Sequence, residues 1–196
     1  MVSTMGTRIN FLSGVPRQHR NGFTLIELLM TTAIASVLMV LAIPAMTGML
    51  DTQRRMSSVN SLLSSLHLAR SEAIKRNGRA VVCKSASGNQ CAPGGGWEQG
   101  WIVFHDANNN ASVDAGESLL RHQAPLGDRL RLSGNMPVAR YVSYSALGTA
   151  KKVSGAFQAG TFTLCPAEGL PGVARKIVLS RTGRPRSIKG GPADCD

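Results

Sequence analysis

Residues 23–50 read FTLIELLMTTAIASVLMVLAIPAMTGML, and this stretch decides how the rest of the chain is organised. Its only charged residue is Glu27. At about 1.5 Å per residue a helix of this length reaches roughly 40 Å, enough to cross the hydrocarbon core of a bilayer. A carboxylate at the fifth position of such a run is costly in lipid and calls for a cationic partner. Pro44 and Gly48 are positions where the helix can bend or melt locally.

Working outward to the N-terminal side, residues 1–22 are polar and basic, with Arg8, Arg17, His19 and Arg20 and no acidic residue. Basic residues before the apolar run and none within it place the N-terminus on the cytoplasmic side. An ordinary secretory signal peptide fits poorly. Its apolar run is shorter and is followed by a small-residue cleavage site, whereas this run continues into more helix.

Toward the C-terminus, residues 51–78 predict an amphipathic continuation of the same helix. Met56, Val59, Leu62, Leu63, Leu66 and Ile74 recur at three- and four-residue steps, with Arg54, Arg55, Arg70, Lys75 and Arg76 between them. Asn77-Gly78 is the expected stop. From residue 79 to 196 the pattern changes to short strands separated by Gly, Pro, Asn and Asp clusters, with strands expected at 80–84, 101–105, 118–122, 130–132, 141–144, 160–165 and 176–180. The expected fold class is α+β: one long N-terminal helix, membrane-embedded in its first half, packed through its second half on a C-terminal antiparallel β head.

The order Gly22, then Phe23-Thr24-Leu25-Ile26-Glu27, then an apolar run resembles the N-terminus of type IV pilins and pseudopilins. The resemblance implies that a prepilin peptidase removes residues 1–22 by cutting after Gly22 and methylates the new amine of Phe23. It also implies that Glu27 pairs with that amine on a neighbouring pilin subunit during assembly. An amine and a carboxylate buried among helices would each need the other. The implied location is the bacterial inner membrane, head in the periplasm, and then the pilus fibre.

The head resembles the FimT/GspH-like minor pilins within that class. The matching features are Val81-Val82-Cys83, then Cys91, then Gly-Trp-Ile-Val-Phe at 100–104 with an Asp/Asn-rich loop ending in Gly116-Glu117, then Cys165-Pro166 and a C-terminal Gly-Arg-Pro-Arg.

The four cysteines, Cys83, Cys91, Cys165 and Cys195, suggest two disulfides in an exported chain. Three pairings are open. The local one, Cys83 with Cys91 and Cys165 with Cys195, is preferred. A zinc site is the weaker alternative, because there is no CxxC and no nearby histidine.

The net charge of +11 predicts attraction to polyanions. Residues 173–191 hold six basic residues, Arg175, Lys176, Arg181, Arg184, Arg186 and Lys189, and no acidic one. Guanidinium forks match phosphate oxygens. Gly183-Arg184-Pro185-Arg186 matches the Gly-Arg-x-Arg element that binds DNA in uptake members of the FimT branch. The resemblance therefore implies non-specific contact of Arg184 and Arg186 with double-stranded DNA and a part in natural transformation. Arg181, Lys189 and Lys176 are candidate flanking contacts by charge. The two arginines are expected to project from a short tail tethered by Cys195. The alternatives are a structural minor pilin, or a type II secretion pseudopilin whose basic segment is a solvated face, or adhesion to acidic surfaces through the same charges.

Asp106, Asn108, Asn110, Asp114 and Glu117 fall at positions one, three, five, nine and twelve of a calcium-loop pattern. Ala111 stands where such a loop needs glycine, so the favoured reading is a polar connection and no metal. His105 and His122 border this loop and could face each other across a hairpin. Trp97 and Trp101 are expected in the core. No Walker loop, HExxH or GxSxG pattern appears, so no cofactor and no enzymatic activity are expected.

Overall fold

The computed structural model describes residues 22–195, with backbone alone at positions 41, 43–45 and 47. The basic leader therefore lies outside the described residues, apart from Gly22. The chain divides between Thr47 and Gly48 into two compact units.

Helix α1 runs Leu25–Lys75 and continues through Pro44 and Gly48, the positions where it can bend or melt. Its start is capped. The Thr24 hydroxyl accepts a hydrogen bond from the Glu27 backbone N–H at 3.2 Å, and Glu27 sits in the first turn, where an acid favours the helix dipole. Its end follows the expected stop. Asn77 adopts φ 49 and the Gly78 N–H reaches back to the Ala73 carbonyl at 3.0 Å. Among the described residues no helix is long and apolar enough to cross a membrane; the expected crossing by 23–50 rests on the sequence alone.

In the second unit, α1 buries Val59, Leu62, Leu66, Ala69 and Ala73, spaced three or four apart. This stripe corrects the expected one. Met56 and Ile74 are exposed, and two alanines take over toward the helix end, where small side chains let the sheets approach the backbone.

Eight strands form two antiparallel four-stranded sheets. The first has the order β3-β2-β1-β5, from β1 (Arg79–Lys84), β2 (Trp101–Asp106), β3 (Leu119–Gln123) and β5 (Tyr141–Tyr144). The second has the order β4-β6-β7-β8, from β4 (Leu130–Gly134), β6 (Gly160–Pro166), β7 (Arg175–Leu179) and β8 (Pro185–Lys189). Seven strands were expected and each forms with small boundary shifts; β8 was not.

The α1 stripe and one face of each sheet share one core, with Val82, Trp101 and Val103 from the first sheet and Leu132, Phe162, Leu164, Ile177 and Leu179 from the second. Both tryptophans belong to it. The Trp101 indole N–H donates to the Ser65 hydroxyl at 2.9 Å, and that of Trp97 donates to the Val138 carbonyl at 3.1 Å. Trp97 also meets Phe162 edge to face at 5.0 Å. A smaller core lies on the other face of the first sheet, where Val81, Cys83, Ile102 and Phe104 are covered by Ala111 and Val113 of the Asp/Asn-rich loop.

That loop directs its carboxylates at its own backbone. Asp106, almost fully buried, accepts from the Asn110 and Ala111 N–H groups at 3.1 and 3.0 Å. Glu117 accepts from Ala107 and Asp114 N–H groups, and Asp114 accepts from the Asn108 and Asn110 side chains. Ala111 takes φ 57, the left-handed backbone that a glycine would ordinarily supply. Among the described residues no cluster of three or more His, Cys, Asp or Glu could hold a metal ion. His105 and His122 do not face each other: His122 pairs with Ile102, and His105 donates its backbone N–H to Ser118.

Candidate nucleic-acid interface

The basic C-terminal segment is a β-hairpin and not a free tail. Strand β7 supplies Ile177 and Leu179 to the core, and β8 pairs with it from Arg175↔Lys189 to Leu179↔Pro185. Proline at the first residue of an edge strand removes no ladder hydrogen bond that the sheet needs, which is why Pro185 can open β8 and be buried. Arg186 falls opposite Val178, on the face that Ile177 and Leu179 do not use.

The turn joining the strands is closed on itself. The Gly183 N–H donates to the Ser180 carbonyl at 2.9 Å, and the Arg184 N–H donates to the Ser180 hydroxyl at 3.2 Å. Gly183 has φ +77, and a Cβ built there would lie 2.4 Å from the Gly148 carbonyl oxygen and 3.1 Å from the Tyr144 ring. The turn therefore sits directly on the 145–150 connection. Arg70 of α1 holds that connection in turn, its Nε donating to the same Gly148 carbonyl at 2.9 Å. The glycine of Gly-Arg-Pro-Arg is thus a packing requirement, and it fixes where the Arg184 side chain leaves the head.

Arg181, Arg184, Arg186 and Lys189 are exposed. Among the described residues none of the four has a carboxylate within 4 Å. Lys176 differs. Its ammonium pairs with Asp194 at 2.5 Å, and this partner, together with the Gly191 N–H, holds the Asp194 carboxyl below its ordinary value of 3.8. Lys176, a candidate flanking contact by charge, is thus placed with one carboxylate partner already beside it. Lys189 lies at the far end of β8 from the turn, about 17 Å from Arg184 at the usual strand rise.

Both disulfides take the local pairing, Cys83 with Cys91 and Cys165 with Cys195. The second ties the segment after β8 to β6, its hairpin neighbour's partner, so both ends of β8 are held.

The sequence profile of the family described as Type II transport protein GspH matches residues 58–183, which include the stripe of α1 and strands β1 to β7. The chain belongs to the GspH family. A second profile, the prokaryotic N-terminal methylation motif, matches residues 17–43 and so covers Gly22, Phe23 and Glu27 of this GspH-family chain. Pilin-like protein PilA1 of Thermus thermophilus is 32% identical over 181 residues, spanning 85% of this chain and 97% of its own length. The fold is that of the type IV minor pilin FimU of Pseudomonas aeruginosa, matched with a TM-score of 0.52 at 19% identity over 73% of this chain and 92% of FimU. The minor pseudopilin EpsH of Vibrio cholerae matches with a TM-score of 0.49 at 14% identity over 69% of this chain and 97% of its own. This GspH-family protein is a minor pilin or pseudopilin of the type IV class, and its partners include other pilin subunits.

Proposed function

We propose that this minor pilin binds double-stranded DNA without sequence preference through the β7–β8 hairpin and serves DNA uptake in natural transformation. The observation that carries this reading is a pair of exposed arginines, Arg184 and Arg186, with no carboxylate in reach among the described residues, on a hairpin fixed at both ends. Arg181 and Lys189 extend the same edge. Contacts of this kind reach phosphates and not base edges, so affinity falls steeply with salt and carries no sequence preference. The role is one of binding and assembly, with no catalytic step.

The N-terminal steps belong to the same proposal. A prepilin peptidase cuts after Gly22 and methylates Phe23, and Glu27 receives the Phe23 amine of a neighbouring subunit. Before assembly, residues 23–50 anchor the chain in the inner membrane with the head in the periplasm. The methylation-motif match and the single charge in the apolar run support this.

The test is Arg184→Ala/Arg186→Ala. DNA binding and transformation are expected to be lost while pilus assembly persists; unchanged transformation would refute the proposal. A second reading, favoured by the GspH profile match, is a structural subunit that primes or caps a pilus or secretion fibre. Under it, the double variant leaves both DNA binding and transformation as they were, and only variants such as Glu27→Ala disturb fibre formation.

A further inference from the structure

Next to the arginine turn lies a second short hairpin with its own pair of cations. The Lys151↔Phe157 bridge and the Gln158 N–H to the Ala150 carbonyl at 2.9 Å join its arms, its tip is closed by Lys152 N–H to the Ala156 carbonyl at 2.8 Å and Gly155 N–H to the Lys152 carbonyl at 2.9 Å, and the Tyr144↔Ala150 bridge ties it to β5. Arg79 positions it from the first sheet, one guanidinium nitrogen donating to the Ser143 hydroxyl at 2.9 Å and to the Lys151 carbonyl at 3.3 Å. Lys151 rests its ammonium 5.7 Å from the Phe157 ring centroid, which orients the charge without cancelling it. Among the described residues neither Lys151 nor Lys152 has a carboxylate within 4 Å.

The two hairpins meet at Gly183. A Cβ built there would lie 3.0 Å from the Ala150 nitrogen, so the Cα atoms of 183 and 150 are within about 6 Å once standard bond lengths are added. Arg184 and Lys151 each follow one of these residues. Their Cα atoms are therefore at most about 14 Å apart, a span that long side chains easily bridge. A duplex presents one charge per about 1.7 Å of axis and a minor groove about 6 Å wide. Cations from two elements at this separation can meet phosphates of both strands.

We propose that Lys151 and Lys152 form a second wall of the DNA site, so that duplex phosphates are held between the 150–158 hairpin and the β7–β8 turn. The inference rests on the reading of Arg184 and Arg186 as DNA contacts, and its failure is separable from failure of that reading. Neither lysine belongs to the basic run at 173–191; the fold alone brings them there.

The full chain in detergent is titrated with a labelled duplex between about 50 and 200 mM salt, where each phosphate contact contributes about −0.9 to the slope of log affinity against log salt. Lys151→Gln/Lys152→Gln is expected to flatten that slope by about two and to weaken binding about tenfold or more near the upper salt. Lys151→Arg/Lys152→Arg is expected to keep the slope. Arg54→Gln/Arg140→Gln removes the same charge from exposed positions outside both hairpins and is also expected to keep it. If the lysine and control pairs change affinity and slope alike while Arg184→Ala/Arg186→Ala still abolishes binding, the second wall is refuted and the DNA reading stands. If the unmodified chain shows no salt-dependent binding, both are refuted.

Discussion

Replacing Gly183 by alanine tests whether the arginine turn is fixed by packing against the head. Two costs arise from the geometry. The backbone at φ +77 is disfavoured for a residue with a Cβ by about 1–2 kcal/mol. The new methyl would also stand 2.4 Å from the Gly148 carbonyl oxygen, a backbone atom already held by Arg70, and forced shifts of this kind cost about 1–3 kcal/mol. The sum is about 2–5 kcal/mol, or a drop in Tm of about 4–20 °C for a domain of this size. Gly155 gives the matched comparison. It has φ +83 with nothing within 4 Å of a built Cβ, so Gly155→Ala carries the backbone cost alone and should lower Tm by only about 2–8 °C. Near-UV circular dichroism during a thermal ramp on the two variants reads both. Equal shifts at the two positions would refute the argument, because the contact with Gly148 would then contribute nothing.

Three further outcomes follow from other parts of the head. Ser65→Ala strips the buried Trp101 indole of its acceptor and should cost about 1–3 kcal/mol in urea unfolding, with Trp101→Phe in the same background recovering part of the loss. Opening Cys165–Cys195, which closes a separation of 30 residues, should destabilise by about 3.5 kcal/mol, against about 2.5 kcal/mol for Cys83–Cys91 with a separation of 8; paired Cys→Ala variants compare them. Asp51 is held below its ordinary value of 3.8 chiefly by its hydrogen bonds to Arg129, at 3.2 and 2.8 Å. A depressed carboxylate contributes its stabilisation fully above its unfolded value and loses it as pH falls through the folded one. Asp51→Asn should therefore lower Tm at pH 7 and have progressively less effect as pH drops below 4, and a pH-independent effect would contradict this.

Much of the architecture was legible because it depends on period and punctuation. Leu62 and Leu66 mark the buried face of α1, Asn77-Gly78 marks its end, and Trp101 with Phe104 marks a strand buried on both faces. The helix stripe was misread where size matters more than hydrophobicity: Ala69 and Ala73 are buried while Ile74 is exposed. Strand β8 was missed because PRSIK has one apolar residue after its proline, and an exposed edge strand gives no alternation to read. Its usable signs were the Thr182-Gly183 turn and a proline at a strand start. Of the candidate site, Arg184 and Arg186 were singled out by the resemblance of Gly183-Arg184-Pro185-Arg186 to a family element, and the structure places both side chains in solvent. The engagement of Lys176 by Asp194 and the approach of Lys151 were not legible, because both depend on contacts between distant parts of the chain.

Helix α1 also determines how the head would respond to pulling. Within the second unit, Val59, Leu62, Leu66, Ala69 and Ala73 are interior residues that share one core with both sheets. In a fibre whose subunits are joined through these helices, tension along α1 enters the head through its packed centre. The surface contacts that tie the helix to the sheets, Asp51 with Arg129 and Arg55 with the Pro171 carbonyl, are the ones placed to yield first. Past them, extraction of the helix means opening both sheets at once. Within the second unit, withdrawing the helix and dissolving the core are therefore one event and not two.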